Sequence, residues 1–217
     1  MMLRTLGMVV MLAAMTAPIA AAAAPQGGAG KPAVGSDTAL LVIDIQNFYF
    51  EGGLLPLTGP VEAADRARRL LDAFRAKHLT VIHVQHVPTS VAIVDGVPAN
   101  AQYRIRPVVA PAPGEKVITK RYANSFRGTD LLDYLRAKGI KKLVIAGMQT
   151  QMCVEAAARA AADLGFDVTV VHDACAARPL EFGGHTAATV DVHTTALATI
   201  ANGYGRVVST DELHKEM

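Results

Sequence analysis

The chain has no tryptophan, only 5% aromatic residues and only two cysteines, Cys153 and Cys175, among its 217 residues. Two thiols are too few for a disulfide-stapled scaffold, so the fold must rest on a hydrophobic core. Neither sign of charge dominates, with 21 Lys and Arg against 19 Asp and Glu, a formal excess of two positives. No block of Lys or Arg is long enough to make a basic stripe, so no nucleic-acid partner is expected. Long apolar runs are missing beyond the first residues, and no internal repeat or second domain is visible.

What is present begins with "MMLRTLGMVVMLAAMTAPIAAAAAPQ". One positive charge, Arg4, precedes an apolar run from Leu6 to Ala17 and then small residues offering an Ala-x-Ala cleavage site near Ala22 to Ala24. That is the pattern of a secretory signal peptide, shorter in its apolar part than the roughly 20 residues of a membrane helix. The expectation is therefore a leader over 1–24, a flexible lead-in over 25–36 and one folded domain over 37–217. The mature protein is expected to be secreted or periplasmic, with no stable membrane span after cleavage.

Within 37–217, short β-branched runs alternate with segments of helical period. The runs are "ALLVID" (39–44), "TVIHV" (80–84), "KVIT" (116–119), "KLVIAG" (142–147), "DVTVVHD" (167–173) and "RVVS" (206–209). Between Val61 and His78, Ala64, Ala67, Leu70, Leu71 and Phe74 share one stripe, while Arg66, Arg68, Arg69 and Asp72 keep the other sides polar. Helices are likewise expected over 130–138, 152–164 and 185–202. Near-continuously apolar strands separated by helices imply a parallel sheet covered on both faces. The expected fold is α/β, a three-layer α/β/α arrangement around a mainly parallel, Rossmann-like sheet.

Ligands of such sheets bind beyond the carboxyl ends of the strands, near a topological switch point. The first run ends in Asp44, the third is followed by Lys120, and the fourth leads through "GMQTQM" to Cys153. Two readings of Cys153 are open: a small apolar filler, or a nucleophile at a helix start capped by Thr150. A thiol with an unperturbed pKa of ~8.5 needs a base or a nearby cation. Asp44 can serve as that base if its apolar neighbours favour proton uptake, and Lys120 would favour the thiolate. Among the histidines, His86 just past the second run suits pocket lining or a supporting donor, and His172 reads as structural.

These segments resemble a known family, the isochorismatase-like cysteine hydrolases, which include nicotinamidases and N-carbamoylsarcosine amidohydrolases. "ALLVIDIQNFYFEGG" is similar to the family's opening strand, "KRYANSFRGTDLLDYL" to its lysine segment, and "KLVIAGMQTQMCVEAAARAAADLGFDVTVVHDACAA" to its nucleophile segment. The resemblance implies Asp44 as base, Lys120 as cationic partner and Cys153 as nucleophile. It also implies a cis peptide between Met148 and Gln149, with the Gln149 and Cys153 N–H groups forming an oxyanion hole. A cysteine in this position implies the amide-cleaving branch: hydrolysis of a C–N bond in a small amide, imide or ureido compound through an acyl-cysteine. The alternatives are a non-amide hydrolase of the same fold and a small-molecule-binding protein that keeps the fold without catalysis. Nicotinamidases carry Asp-x-His ligands where this chain has Gln85 and Val87 in "VQHVP", so no metal and no cofactor are expected. Phe48, His86, Tyr122 and Phe126 are the expected substrate contacts, with Phe126 equally open as core. By the same resemblance the partner is a small-molecule substrate and the assembly a homo-oligomer, dimer or tetramer.

Overall fold

All six apolar runs enter one sheet in the computed structural model of the protein, which describes residues 34–217. The leader expected over 1–24, and residues 25–33 of the lead-in, lie outside the described residues. In chain order the elements are β1 (Thr38–Ile43), α1 (Pro60–Ala76), β2 (Thr80–His86), the short strands β3 (Ile93–Val94) and β4 (Val97–Pro98), and β5 (Lys116–Lys120). There follow α2 (Leu131–Ala137), β6 (Lys142–Met148), α3 (Glu155–Asp163), β7 (Asp167–Ala176), β8 (Leu180–Phe182), β9 (His185–Ala187), α4 (Thr189–Gly203), β10 (Arg206–Val208) and α5 (Thr210–Lys215).

The six-stranded sheet has the order β10-β7-β6-β1-β2-β5, and every neighbouring pair is parallel. From β1 the chain runs outward to β5, returns to β1's other side at β6, and then runs outward to β10. The strand order therefore reverses between β1 and β6, and a crevice at their carboxyl ends is the place for a ligand. β1 is buried along its whole length, as a strand covered on both faces must be. Its Leu40 and Val42 join a core under α1 and α5, while Ala39, Leu41 and Ile43 join a second core under α2, α3 and α4. On α1 the stripe Ala64, Ala67, Leu70, Leu71 and Phe74 is buried as its spacing requires, each large side chain contributing about 1.5–3 kcal/mol.

Three features of the C-terminal half differ from the sequence reading. The helix expected from 185 starts at Thr189, because Gly183 and Gly184, both at positive φ, turn a β8–β9 hairpin ahead of it. β7 continues through Ala176, so Cys175 lies within a strand and not in a chain leaving the sheet. A terminal helix, α5, was not expected, although "STDE" carries its signal: Ser209 Oγ accepts from the Glu212 N–H and the Glu212 carboxylate accepts from the Ser209 N–H.

One partly buried polar network ties α1 to the sheet. Glu115 accepts from Arg75 Nε and Nη2, each at 2.8 Å, and from the Ala112 N–H at 2.7 Å, and it pairs with His83 Nε2 at 2.8 Å. Burial raises the Glu115 carboxyl, but these donors outweigh it and hold the group at about 2. A carboxyl depressed in the folded state stabilises the fold above its unfolded pKa of ~4.3, and that stabilisation is lost as pH falls toward the folded value. Urea unfolding between pH 5 and pH 2 is expected to show falling stability over that window, with a shallower slope in Glu115→Gln.

Candidate active site

Asp44 follows β1 directly, with φ of 50° and its N–H donating to Val84 O at 2.9 Å. Lys120 ends β5, and its Nζ lies 2.7 Å from Asp44 Oδ2 with both side chains fully buried. The same ammonium donates to the carbonyls of Tyr122 at 3.1 Å and Ala123 at 3.2 Å. No nitrogen or oxygen donor other than Lys120 reaches the Asp44 carboxylate among the described residues. Cys153, 5% exposed, arrives from β6 on a π-helical turn, Thr150–Val154, close enough to Asp44 and Lys120 for both charges to act on its thiol. The structure thus brings Asp44, Lys120 and Cys153 together at the crevice between β1 and β6.

Charge in this cluster is unevenly held. Burial pushes the Cys153 thiol up to about 12, Asp44 adds to the rise, and Lys120 opposes it without cancelling it. Burial also works against the charge on Lys120, but Asp44 and Cys153 outweigh it, and the ammonium is held above its ordinary range. The resting state is therefore a protonated thiol beside an ion pair. This differs from the thiolate that Lys120 alone would favour, because desolvation penalises a second buried anion next to Asp44.

The turn that carries Cys153 also differs in detail. A cis peptide joins Met148 to Gln149, where the resemblance placed it. Gln149 is the residue before the turn and its backbone N–H has no backbone acceptor among the described residues. Thr150 does not cap the helix; its hydroxyl pairs with His193 Nδ1 on α4 at 2.9 Å.

The expected substrate contacts are divided. His86 ends β2 between Asp44 and Lys120, with its Nδ1 buried and without a partner. Burial lowers its pKa, as do Lys120 and Arg121, while Asp44 acts the other way, so the ring is neutral at pH 7. Gln46 fixes this strand end by accepting from the His86 N–H at 2.8 Å and donating to the His86 carbonyl at 3.0 Å. The Tyr122 ring is 46% exposed under the Arg127 guanidinium, on the rim. Phe48 packs on Tyr49 and Tyr103, and Phe126 on Phe166. The aromatic residue that reaches the cluster is Tyr49, which accepts from Gln149 Nε2 at 3.3 Å. Its proton is held on by burial first and then by the nearby Asp44 and Cys153. The direction of Tyr49 is not legible in the sequence because the short 3-10 helix Asn47–Tyr49 has no periodic signal.

At the positions compared with metal ligands, the Gln85 amide donates to Thr119 Oγ1 at 2.9 Å and Gly96 O at 3.1 Å, and Val87 is fully buried. Both cysteines are free thiols. Cys175 sits opposite Gly147 in the sheet and directs its Sγ to Val171 O at 3.3 Å, and burial pushes its thiol up to about 12. Cys175 acts as a small core residue. Non-reducing intact mass is expected to show two thiols, and Cys175→Ser to keep turnover within about threefold of the parent, since a satisfied buried hydroxyl costs little. A Cys153–Cys175 bridge in purified protein would contradict this.

The chain belongs to the isochorismatase-like hydrolase family, whose isochorismatase domain model matches residues 38–212. It is 39% identical over 178 residues to the uncharacterized isochorismatase family protein YddQ of Bacillus subtilis, covering 82% of this chain and 99% of that one. It is 30% identical to maleamate amidohydrolase of Pseudomonas putida, covering 84% of this chain and 88% of the relative. A solved structure described as an isochorismatase hydrolase, from Oleispira antarctica, matches with a TM-score of 0.77 and 43% identity, covering 83% of this chain and 97% of the other.

Proposed function

We propose that this hydrolase cleaves the C–N bond of a small amide, imide or ureido compound through an acyl-cysteine at Cys153. The observation that carries the reading is the nearly buried Cys153 standing beside the fully buried Asp44–Lys120 pair. In the first step the Asp44 carboxylate takes the thiol proton as sulfur bonds to the substrate carbonyl carbon. The carbonyl π pair moves onto oxygen, where the Gln149 and Cys153 N–H groups receive it. As the oxyanion collapses, Asp44 returns the proton to the leaving nitrogen, the C–N bond breaks, and ammonia or an amine departs. Water then gives a proton to Asp44 and adds to the thioester. Collapse of the second oxyanion breaks the C–S bond, and the thiol regains its proton from Asp44.

Lys120 remains cationic throughout and offsets the negative charge that passes between aspartate, sulfur and oxygen. The high resting thiol pKa suits this sequence, since sulfur loses its proton only as the carbon–sulfur bond forms.

The similarity to a maleamate amidohydrolase supports the amide over other bonds and places maleamate in the first test panel. Ammonia release is measured across short amides, imides and ureido acids with Cys153→Ala as the blank, and the acyl-enzyme is sought by rapid-quench mass spectrometry. Turnover of a substrate with no leaving nitrogen, or turnover without a Cys153 adduct, would count against the reading. A cleaved leader over 1–24, export from the cytoplasm and a homo-oligomeric assembly belong to the same proposal, and cell fractionation and light scattering test them.

A further inference from the structure

The turn that delivers Cys153 lacks the usual means of holding a helix start. Gln149, the residue before it, makes no side-chain cap, and the five residues Thr150–Val154 wind as a π turn before α3 takes over. Its position is set from outside instead. Thr150 is fully buried, and its hydroxyl bond is to His193 Nδ1, at 2.9 Å. His193 stands on α4, where its neighbours Val192 and Ala196 are buried, and Ile200 further along the helix is fully buried in the core. A chain of contacts therefore runs from the α4 core through His193 to the first residue of the nucleophile turn.

We propose that His193 is a positioning residue for the nucleophile, holding Thr150 so that Cys153 stays between Asp44 and Lys120. The pair suits the task. The threonine is β-branched and stiff at χ1, so fixing its hydroxyl fixes its backbone as well. A neutral imidazole can accept from the hydroxyl or donate to it, so the bond survives either tautomer. Burial lowers the pKa of the ring, and the neighbouring His172 on β7 lowers it further. Removing the ring would leave the Thr150 hydroxyl buried without a partner and release the turn.

The consequence can be read on the thiol without a substrate. Cys153 is hard to ionise because it is buried against Asp44, so a released turn should bring it toward the ~8.5 of an ordinary thiol. The experiment is alkylation by iodoacetamide between pH 6 and pH 11, with the modified cysteine mapped by peptide mass and thermal melting run in parallel. In His193→Ala, the rising limb of the Cys153 alkylation profile is expected to move at least about one pH unit lower, with about tenfold faster alkylation at pH 8. Thr150→Val removes the hydroxyl at constant shape and is expected to do the same, which keeps the test intact if His193→Ala fails to fold. His193→Asn, whose amide occupies the place of Nδ1, is expected to restore the parent profile. Superimposable profiles in the parent, His193→Ala and Thr150→Val, with only the melting temperature lowered, would show a purely structural bond and overturn the proposal. A His193→Asn profile no better than that of His193→Ala would also overturn it. The function of the positioned thiol rests on the acyl-cysteine reading, but the alkylation profile does not, so either can fail alone.

Discussion

Cys153→Ala is expected to abolish turnover, a loss of at least about four orders of magnitude, because no other group in the cluster can form the acyl bond. The side chain removed is small and only 5% exposed, so folding should survive and the loss can be assigned to chemistry. Asp44→Asn removes the proton acceptor and keeps the shape, and Lys120→Met removes the charge and keeps most of the volume. Each should lower turnover by several orders of magnitude, and the combination should be little worse, since the three act as a unit.

The burial of the pair adds a signature in stability. Asp44 and Lys120 are both fully inaccessible at 2.7 Å, and removing one partner strands the other at a cost of about 3–5 kcal/mol. The double variant Asp44→Asn with Lys120→Met should therefore be more stable than Lys120→Met alone while remaining inactive. Denaturant unfolding beside steady-state rates separates the two effects. Wild-type turnover in Cys153→Ala would falsify the covalent route.

The second large effect is expected at Gly147, in β6, beside the end of β1. Its φ is 137°, and a Cβ placed there would lie 1.9 Å from the Ile43 carbonyl oxygen and within 2.8 Å of other Ile43 backbone atoms. The obstacle is backbone and cannot rotate away, so β1 would have to move at the residue just before Asp44. Gly147→Ala should cost about 3 kcal/mol or more, lowering the melting temperature by about 10 °C. Whatever folded protein remains should have lost most of its turnover, because the displaced strand end carries the base. Gly203→Ala, at the last residue of α4 with nothing within 4 Å of the added methyl, is the control and should be neutral or slightly stabilising. A Gly147→Ala protein with the parent's melting temperature and turnover would mean that β1 and β6 approach less closely than described.

The layered fold and the three groups at its centre are legible in the amino-acid order alone. Strand identity is written locally: six β-branched runs separated by helical stripes leave a covered parallel sheet as the way to bury both faces of β1. The polar residues Asp44 and Lys120 are legible because they stand where apolar runs stop, and Cys153 because it follows another such run by a short turn. Side-chain direction and long-range pairing depend instead on packing between elements. Phe48 and Tyr49 are adjacent, equally aromatic and buried in one core, yet only the turn through Asn47–Tyr49 brings the Tyr49 hydroxyl to Gln149. The resting charge on Cys153 depends on burial added over several elements, which a strand-end position does not disclose. His193 and Thr150 meet because α4 packs back across the sheet onto the turn after β6. Periodicity records which face of an element is apolar, whereas a hydrogen bond between two elements depends on how they are rotated and shifted against each other, which only packing of the whole core sets.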